Sequence, residues 1–234
     1  MQMRSLLMVS ADGEEAIEQA RRSQADAVVL DLEGMATTDE ARSRLRDRIA
    51  SLAEAGRAVF LRPNGLDTGL TRDDLAAAVG PHLTGVIFPR MEAAGQVREL
   101  DVLIREQELR NEVKAGSILL LPQIESARGL LRCEEIVLAS SRIGGLSLGG
   151  RGFAADLGVP RSRDGRELLH ARYVVANCCA AYRLQAIDAA FPSTGDAAGL
   201  LADAEFAKSI GLKGKNVIDP SQVDAVNRVF AGGD

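Results

Sequence analysis

Eight short apolar runs punctuate this chain, and each is followed by a polar, amphipathic stretch. The runs are SLLMVS (5–10), AVVLDLEG (27–34), AVFLRPNG (58–65), GVIFPRME (85–92), SILLLPQIES (117–126), IGGLSLGG (143–150), QAIDAAFPS (185–193) and KNVIDPSQ (215–222). Unbroken apolar character over four to six residues suits strands buried on both faces, as in a parallel sheet. The starts lie 22 to 42 residues apart, the spacing of strand–helix units rather than of a short solenoid repeat. Eight such units predict an α/β fold of the (β/α)8 TIM-barrel class, with a parallel eight-stranded sheet. The competing architecture, an open doubly wound sheet, would announce a glycine-rich phosphate turn after its first strand, and VSADGEE offers none.

The segments between the runs carry helix grammar. TTDEARSRLRDRIASLAEAG has Thr38 as its expected N-cap and Gly56 as its stop; TRDDLAAAVG has Thr71 as cap, with Asp73 and Asp74 near the positive helix end. RELLHARYVVANCCAAY reads as a third helix. No linker breaks the rhythm, so one domain is expected over 1–234. The longest gap, 151–184, is the expected site of a functional excursion.

Bulk properties remove several function classes. The net charge of −5 argues against a nucleic-acid binder, which would carry a basic stripe. No stretch approaches the roughly 18 apolar residues of a membrane span, and the N-terminal apolar run is too short for a secretion signal. Cys133, Cys178 and Cys179 form no metal-type spacing and make a poor disulfide framework, which points to a reducing cytoplasm.

In a barrel of this class the active site forms where strands end and loops begin. Those ends carry Asp31-Leu32-Glu33, Arg62-Pro63-Asn64, Arg90-Met91-Glu92, Gln123-Ile124-Glu125, Asp188 and Asp219-Pro220-Ser221-Gln222. Arg62 beside Asn64 suits a carboxylate or carbonyl, because a guanidinium is a planar, two-pronged donor. Glu125 ends an apolar strand and needs a cation, for which a metal, Arg62, Arg90 and Arg128 are candidates. Glu33 is expected in the site, and Asp31 on the opposite side of the strand in a structural bond. His82 and His170 are expected in surface or packing roles, so histidine bases and histidine-held metals are not. Arg161, Arg163 and Arg166 lie in a loop expected to be solvated, with a cofactor phosphate as the alternative.

Several segments, in order, resemble the citrate lyase beta-subunit-like group of the HpcH/HpaI aldolase and citrate lyase superfamily. They are RSLLMVSADGEEAIEQARRSQADAVVLDLEG, VFLRPNG, GVIFPRMEAA, PQIESARGLL, GGRGFAADLG and GLKGKNVIDPSQVDAVNRVF. The resemblance implies the TIM barrel and carbon–carbon bond cleavage or formation on 3-hydroxy acids or their citryl-, malyl- or citramalyl-type thioesters, through an enolate. It also implies Mg²⁺ held by a glutamate, matched by Glu125, and by an aspartate whose place is taken by Gly152. The residue before that aspartate is Arg151, and Asp156 is a weak substitute ligand. Arg62 matches the arginine that holds the substrate carboxylate or carbonyl, with Asn64, Arg90, Gly149 and Gly150 as further substrate contacts. Glu33 and Arg151 join Arg62 as the catalytic candidates. Nicotinamide, flavin and pyridoxal phosphate are not expected. Partners are expected to be a small oxo acid or acyl thioester and other copies of the chain, with neither nucleic acid nor membrane. The resemblance also implies a C-terminus shortened relative to many family members.

Losing one of two carboxylates weakens a Mg²⁺ site, because that ion demands several hard oxygen ligands. Three readings follow: a lyase using Glu125, substrate oxygens and water around the metal; a metal-free enzyme in which Arg151 and Arg62 stabilise the enolate; and a degenerate member that only binds its ligand, as an assembly or regulatory subunit.

Overall fold

The computed structural model describes residues 2–34 and 42–232. Strands β1 (Ser5–Ser10), β2 (Ala27–Asp31), β3 (Ala58–Arg62), β4 (Gly85–Phe88), β5 (Leu119–Ile124), β6 (Gly145–Leu148), β7 (Gln185–Asp188) and β8 (Gly214–Val217) pair in chain order into a closed barrel. Every pairing is parallel, and β8 closes onto β1 through Leu6 opposite Asn216. Seven strands lie within apolar runs, and β8 begins one residue before the eighth.

The runs are apolar without alternation because both faces are covered. Inward side chains form a plug of Met3, Leu6, Ala27, Val29, Phe60, Ile87, Leu121 and Ile187. Outward ones, among them Leu7, Val28, Leu30, Val59, Leu61 and Val86, pack into a second, larger core against the helices. Phe60 is the one aromatic ring in the plug, and it fits because its register partner on β4 is glycine. A Cβ at Gly85 would stand 2.5 Å from that ring.

The helices around the barrel are α1 (Glu14–Arg22), α2 (Leu45–Glu54), α3 (Thr71–Ala78), α4 (Ala94–Arg110), α5 (Ala127–Leu130), α6 (Cys133–Val137), α7 (Gly150–Asp156), α8 (Leu169–Ala181), α9 (Ala197–Ser209) and α10 (Val223–Phe230). Gly56, at φ 81°, follows the end of α2 in the left-handed conformation that glycine adopts freely. The expected cap Thr38 lies outside the described residues. Thr71 does not cap α3: it is the first helical residue, and its hydroxyl donates to the Asn64 carbonyl at 2.9 Å. Among the described residues no helix is long and apolar enough to cross a membrane.

Two buried ion networks tie helices to the barrel's outer face. Arg142 donates to both carboxylate oxygens of Glu108 on α4, at 2.7 and 3.0 Å, and to Asp101 at 3.0 Å. Burial pushes the Glu108 carboxyl up, but the bonds from Arg142, Gly116 and Ile118 outweigh it and hold the group below its ordinary value. The second network joins Asp188 on β7 and Lys215 on β8 to Arg172 on α8 and Asp203 on α9. Asp188 therefore belongs outside the barrel and not to the site expected at the end of strand 7. All three cysteines are free. Burial pushes the Cys133 and Cys179 thiols up to about 12, which leaves them as packing groups rather than nucleophiles.

Candidate functional site

The C-terminal strand ends open into a cavity of about 680 Å³. Arg62 stands at its centre because β2 and β3 pair with Asp31 opposite Arg62. Its Nη1 donates to Asp31 Oδ2 at 3.0 Å and its Nε to Gln123 Oε1 at 2.9 Å. Its Nη2 is paired with Glu33 and reaches Glu125 Oε1 at 3.4 Å. One guanidinium thus gathers three carboxylates and an amide. Asp31 corrects the expectation of a residue facing away. Residues 31 and 33 are two apart, and strand side chains repeat with period two, so both acids point the same way.

Glu125 is 8% exposed and sits just past the end of β5. Its Oε2 accepts the backbone N–H of Arg90 at 3.0 Å. Arg90 takes φ 49°, a left-handed conformation uncommon for a side chain of its size. Burial pushes the Glu125 carboxyl up, Arg62 draws it down, and the outcome is above the ordinary glutamate value. The cation expected for Glu125 is therefore Arg62, assisted by the Arg90 amide; among the described residues Arg128 pairs with Glu92, at 3.9 Å.

The wall opposite is the turn from β6 into α7, and glycine lets Glu125 pack against it. A Cβ at Gly149 would stand 2.4 Å from Glu125 Oε1, and one at Gly152 would stand 2.9 Å from the same atom. Gly150 lines the cavity as well, and a Cβ there would meet Ala189 and Leu168 at 2.9 Å. Arg151 lines the cavity, is exposed, and has no carboxylate partner among the described residues. Arg161 also lines the wall; its Nη1 is 2.8 Å from Glu167. The loop of 151–184 therefore does contribute a cavity residue, while Arg163 and Arg166 pair with Asp196 and Asp164 in solvent.

Besides Asp188, two expected site residues, Asn64 and Asp156, lie elsewhere. Asn64 does not line the cavity: its amide and backbone N–H donate to Asp74 on α3 at 2.9 and 3.0 Å, and its Oδ1 accepts from Gly34. It fixes the loop after β3 and thereby holds Arg62 in place. Asp156 is at the far end of α7, where its carboxylate accepts the Ala127 N–H at 2.8 Å, so it is no substitute metal ligand. Asp156→Ala is expected to cost about 0.5–1.5 kcal/mol in urea unfolding, the value of one exposed backbone cap. It should leave calorimetric binding of oxaloacetate unchanged. His82 and His170 are both exposed and outside the cavity.

Among the polar lining residues, Ser10, Asp31, Gln123 and Asn216 were assigned no catalytic or ligand-binding role by the sequence. Asn216 donates from Nδ2 to Ser147 Oγ at 2.9 Å and to the Asp188 carbonyl at 3.0 Å, bracing the β6–β8 floor. A polar residue inside an apolar strand was the available signal.

Residues 4–220 match the sequence model of the HpcH/HpaI aldolase/citrate lyase family. The citrate lyase subunit beta of Leuconostoc mesenteroides subsp. cremoris is 29% identical over 231 residues, covering 97% of this chain and 76% of that one. The (3S)-malyl-CoA thioesterase of Cereibacter sphaeroides is 31% identical over 232 residues, covering 97% and 77%. A citrate lyase beta subunit from M. tuberculosis, complexed with oxaloacetate and magnesium, superposes with a TM-score of 0.75 at 26% identity, over 99% of this chain and 98% of that one.

Magnesium takes near-octahedral oxygen coordination, with carboxylates supplying one or two positions. Among the described residues no three acidic, histidine or cysteine side chains are grouped to hold a metal. The three cavity carboxylates converge instead on the Arg62 guanidinium.

Proposed function

Because the chain belongs to the HpcH/HpaI aldolase/citrate lyase family, we propose that its cavity binds a short 2-oxo acid or acyl thioester and cleaves or forms a carbon–carbon bond in a 3-hydroxy acid or its thioester. The observation that carries this reading is the Arg62 hub. A guanidinium has five N–H donors; four serve Asp31, Glu33, Glu125 and Gln123, and one N–H on Nη1 remains for a ligand oxygen. Fixed in this way, Arg62 is a preorganised donor for charge that develops on a carbonyl oxygen.

The cleavage direction assigns the groups as follows. Glu33 accepts the proton of the 3-hydroxyl, the bond between carbons 2 and 3 breaks, and its electron pair moves onto the acyl carbonyl oxygen as an enolate. Arg62 stabilises that oxygen. Carbon 3 leaves as the carbonyl of an oxo acid, and the proton held by Glu33 returns to carbon 2. No step is routed through a metal, because the donor set does not fit one: Glu125 is committed to Arg62 and the Arg90 amide.

The degenerate, binding-only reading draws on the same contacts, since three carboxylates on Arg62 also describe a locked site. Turnover separates the two. Malyl-, citramalyl- and citryl-type thioesters are incubated with the protein, with and without Mg²⁺, and release of the oxo acid is followed. Release that disappears in Glu33→Gln supports the lyase. Calorimetric binding of oxaloacetate without release of any oxo acid leaves a binding subunit, and absence of both removes the oxo-acid reading.

A further inference from the structure

Four arginines line the cavity, and three are matched by carboxylates. Arg62 holds Asp31, Glu33 and Glu125; Arg90 meets Asp67 at 3.1 Å and Glu33 at 3.8 Å; Arg161 meets Glu167 at 2.8 Å. Arg151 is the lining arginine without such a partner among the described residues. It stands in the first turn of α7, between Gly149 and Gly152, the two glycines against which the Glu125 carboxylate packs.

We infer that Arg151 supplies, in this cavity, the positive charge that magnesium supplies in the oxaloacetate-bound neighbour, so that the anionic ligand is held without a divalent cation. This rests on the reading of the cavity as an oxo-acid site. Three features combine to carry it. Both oxygens of Glu125 are already bonded, one to Arg62 and one to the Arg90 amide. A side chain at position 152 would meet Glu125 Oε1 at 2.9 Å from its Cβ alone, so a second acid on this wall requires Glu125 to move. Arg151, which lines the same cavity, adds a positive charge that repels a divalent cation and attracts a carboxylate. A guanidinium also offers the carboxylate two parallel N–H bonds, a geometry that a lysine would not reproduce.

The experiment is calorimetric titration of oxaloacetate into the wild type, Arg151→Gln and Arg151→Lys, each in EDTA and each in excess Mg²⁺. The wild type is expected to bind equally well in both buffers. Arg151→Gln should bind about tenfold to a hundredfold more weakly in EDTA, as expected for one charge-assisted contact, with Arg151→Lys between the two. A parallel titration of Mg²⁺ alone into the wild type should give no heat of binding, whereas Arg151→Glu combined with Gly152→Asp should gain it if the variant keeps its circular dichroism spectrum. Wild-type oxaloacetate binding that tightens tenfold or more with Mg²⁺, micromolar Mg²⁺ binding by the wild type, or wild-type affinity in Arg151→Gln would each overturn the inference while leaving the oxo-acid reading intact. Failure of oxaloacetate to bind in either buffer overturns both.

Discussion

Lys215→Met is expected to lower the unfolding free energy by about 3–5 kcal/mol, the cost of leaving a buried charge without its partner. Lys215 is fully buried on β8, and its Nζ lies 2.6 Å from Asp188 and 2.6 Å from Asp203. Arg172, also buried, holds the same two acids at 2.9 and 2.7 Å. Two cations balance two anions; methionine leaves two carboxylates on one guanidinium. For a domain of this size the fall corresponds to roughly 10 °C in melting temperature. Burial pushes the Asp203 carboxyl up, but Lys215 and Arg172 outweigh it and hold the group below its ordinary value. A depressed carboxyl stabilises the fold above its unfolded pKa of about 3.9 and loses that contribution as the pH falls through the folded value. The variant's deficit should accordingly be full at neutral pH and shrink in acid. Lys215→Met with Asp203→Leu removes a cation and an anion together and should recover much of the loss, since apolar replacements of buried pairs are often tolerated. A double variant no more stable than the single one would place the fault in packing. The change also bears on the site: Lys215 donates to the Ala189 carbonyl at 2.6 Å, and Ala190 beside it lines the cavity.

The barrel was legible because its signal is local. A strand buried between a side-chain plug and a helix layer has to be apolar at consecutive positions, and Leu6-Leu7 or Val28-Val29 shows that without any knowledge of partners. Arg62, Glu33 and Glu125 were legible for a related reason: each closes an apolar run, and this fold sends such positions to one rim, whereas Arg151 came from the family resemblance alone. What stayed hidden depends on contacts across the sequence. Asn64 looked like a ligand contact beside Arg62, but Asp74, ten residues on, claims its amide. Asp156 looked like a spare acid until the Ala127 N–H, 29 residues earlier, filled it. Asp188 ends its strand like the others yet points outward, to cations 16 and 27 residues away. Asp31 was a misreading of strand parity, since the alternation itself puts it beside Glu33.

Removing the hub has the second large effect, on both stability and binding. In Arg62→Ala three carboxylates at the cavity mouth lose their common cation, and Glu125, the most enclosed of them, keeps only the Arg90 N–H. The expected cost is again about 3–5 kcal/mol at neutral pH, read from urea unfolding. Oxaloacetate affinity should fall by at least about a hundredfold, the upper range for one charge-assisted contact. The carboxyl involved is shifted in the opposite direction to Asp203, although the variant's deficit again grows toward neutral pH. Burial already holds the Glu125 carboxyl above its ordinary value although Arg62 draws it down. Without Arg62 it rises further, so the folded variant keeps a proton at pH values where the unfolded chain has released it. A raised carboxyl makes the fold most stable below the unfolded glutamate pKa of about 4.3, and stability falls as the pH climbs from there to the folded value. The deficit against the wild type should therefore be small near pH 4 and grow toward neutrality. Adding Glu125→Gln should recover part of the neutral-pH loss but not the binding, because the amide removes a buried charge while the ligand's donor is still missing. A deficit that stays constant across this pH range would show that Arg62 stabilises the barrel through its packed side chain rather than through the acids it gathers.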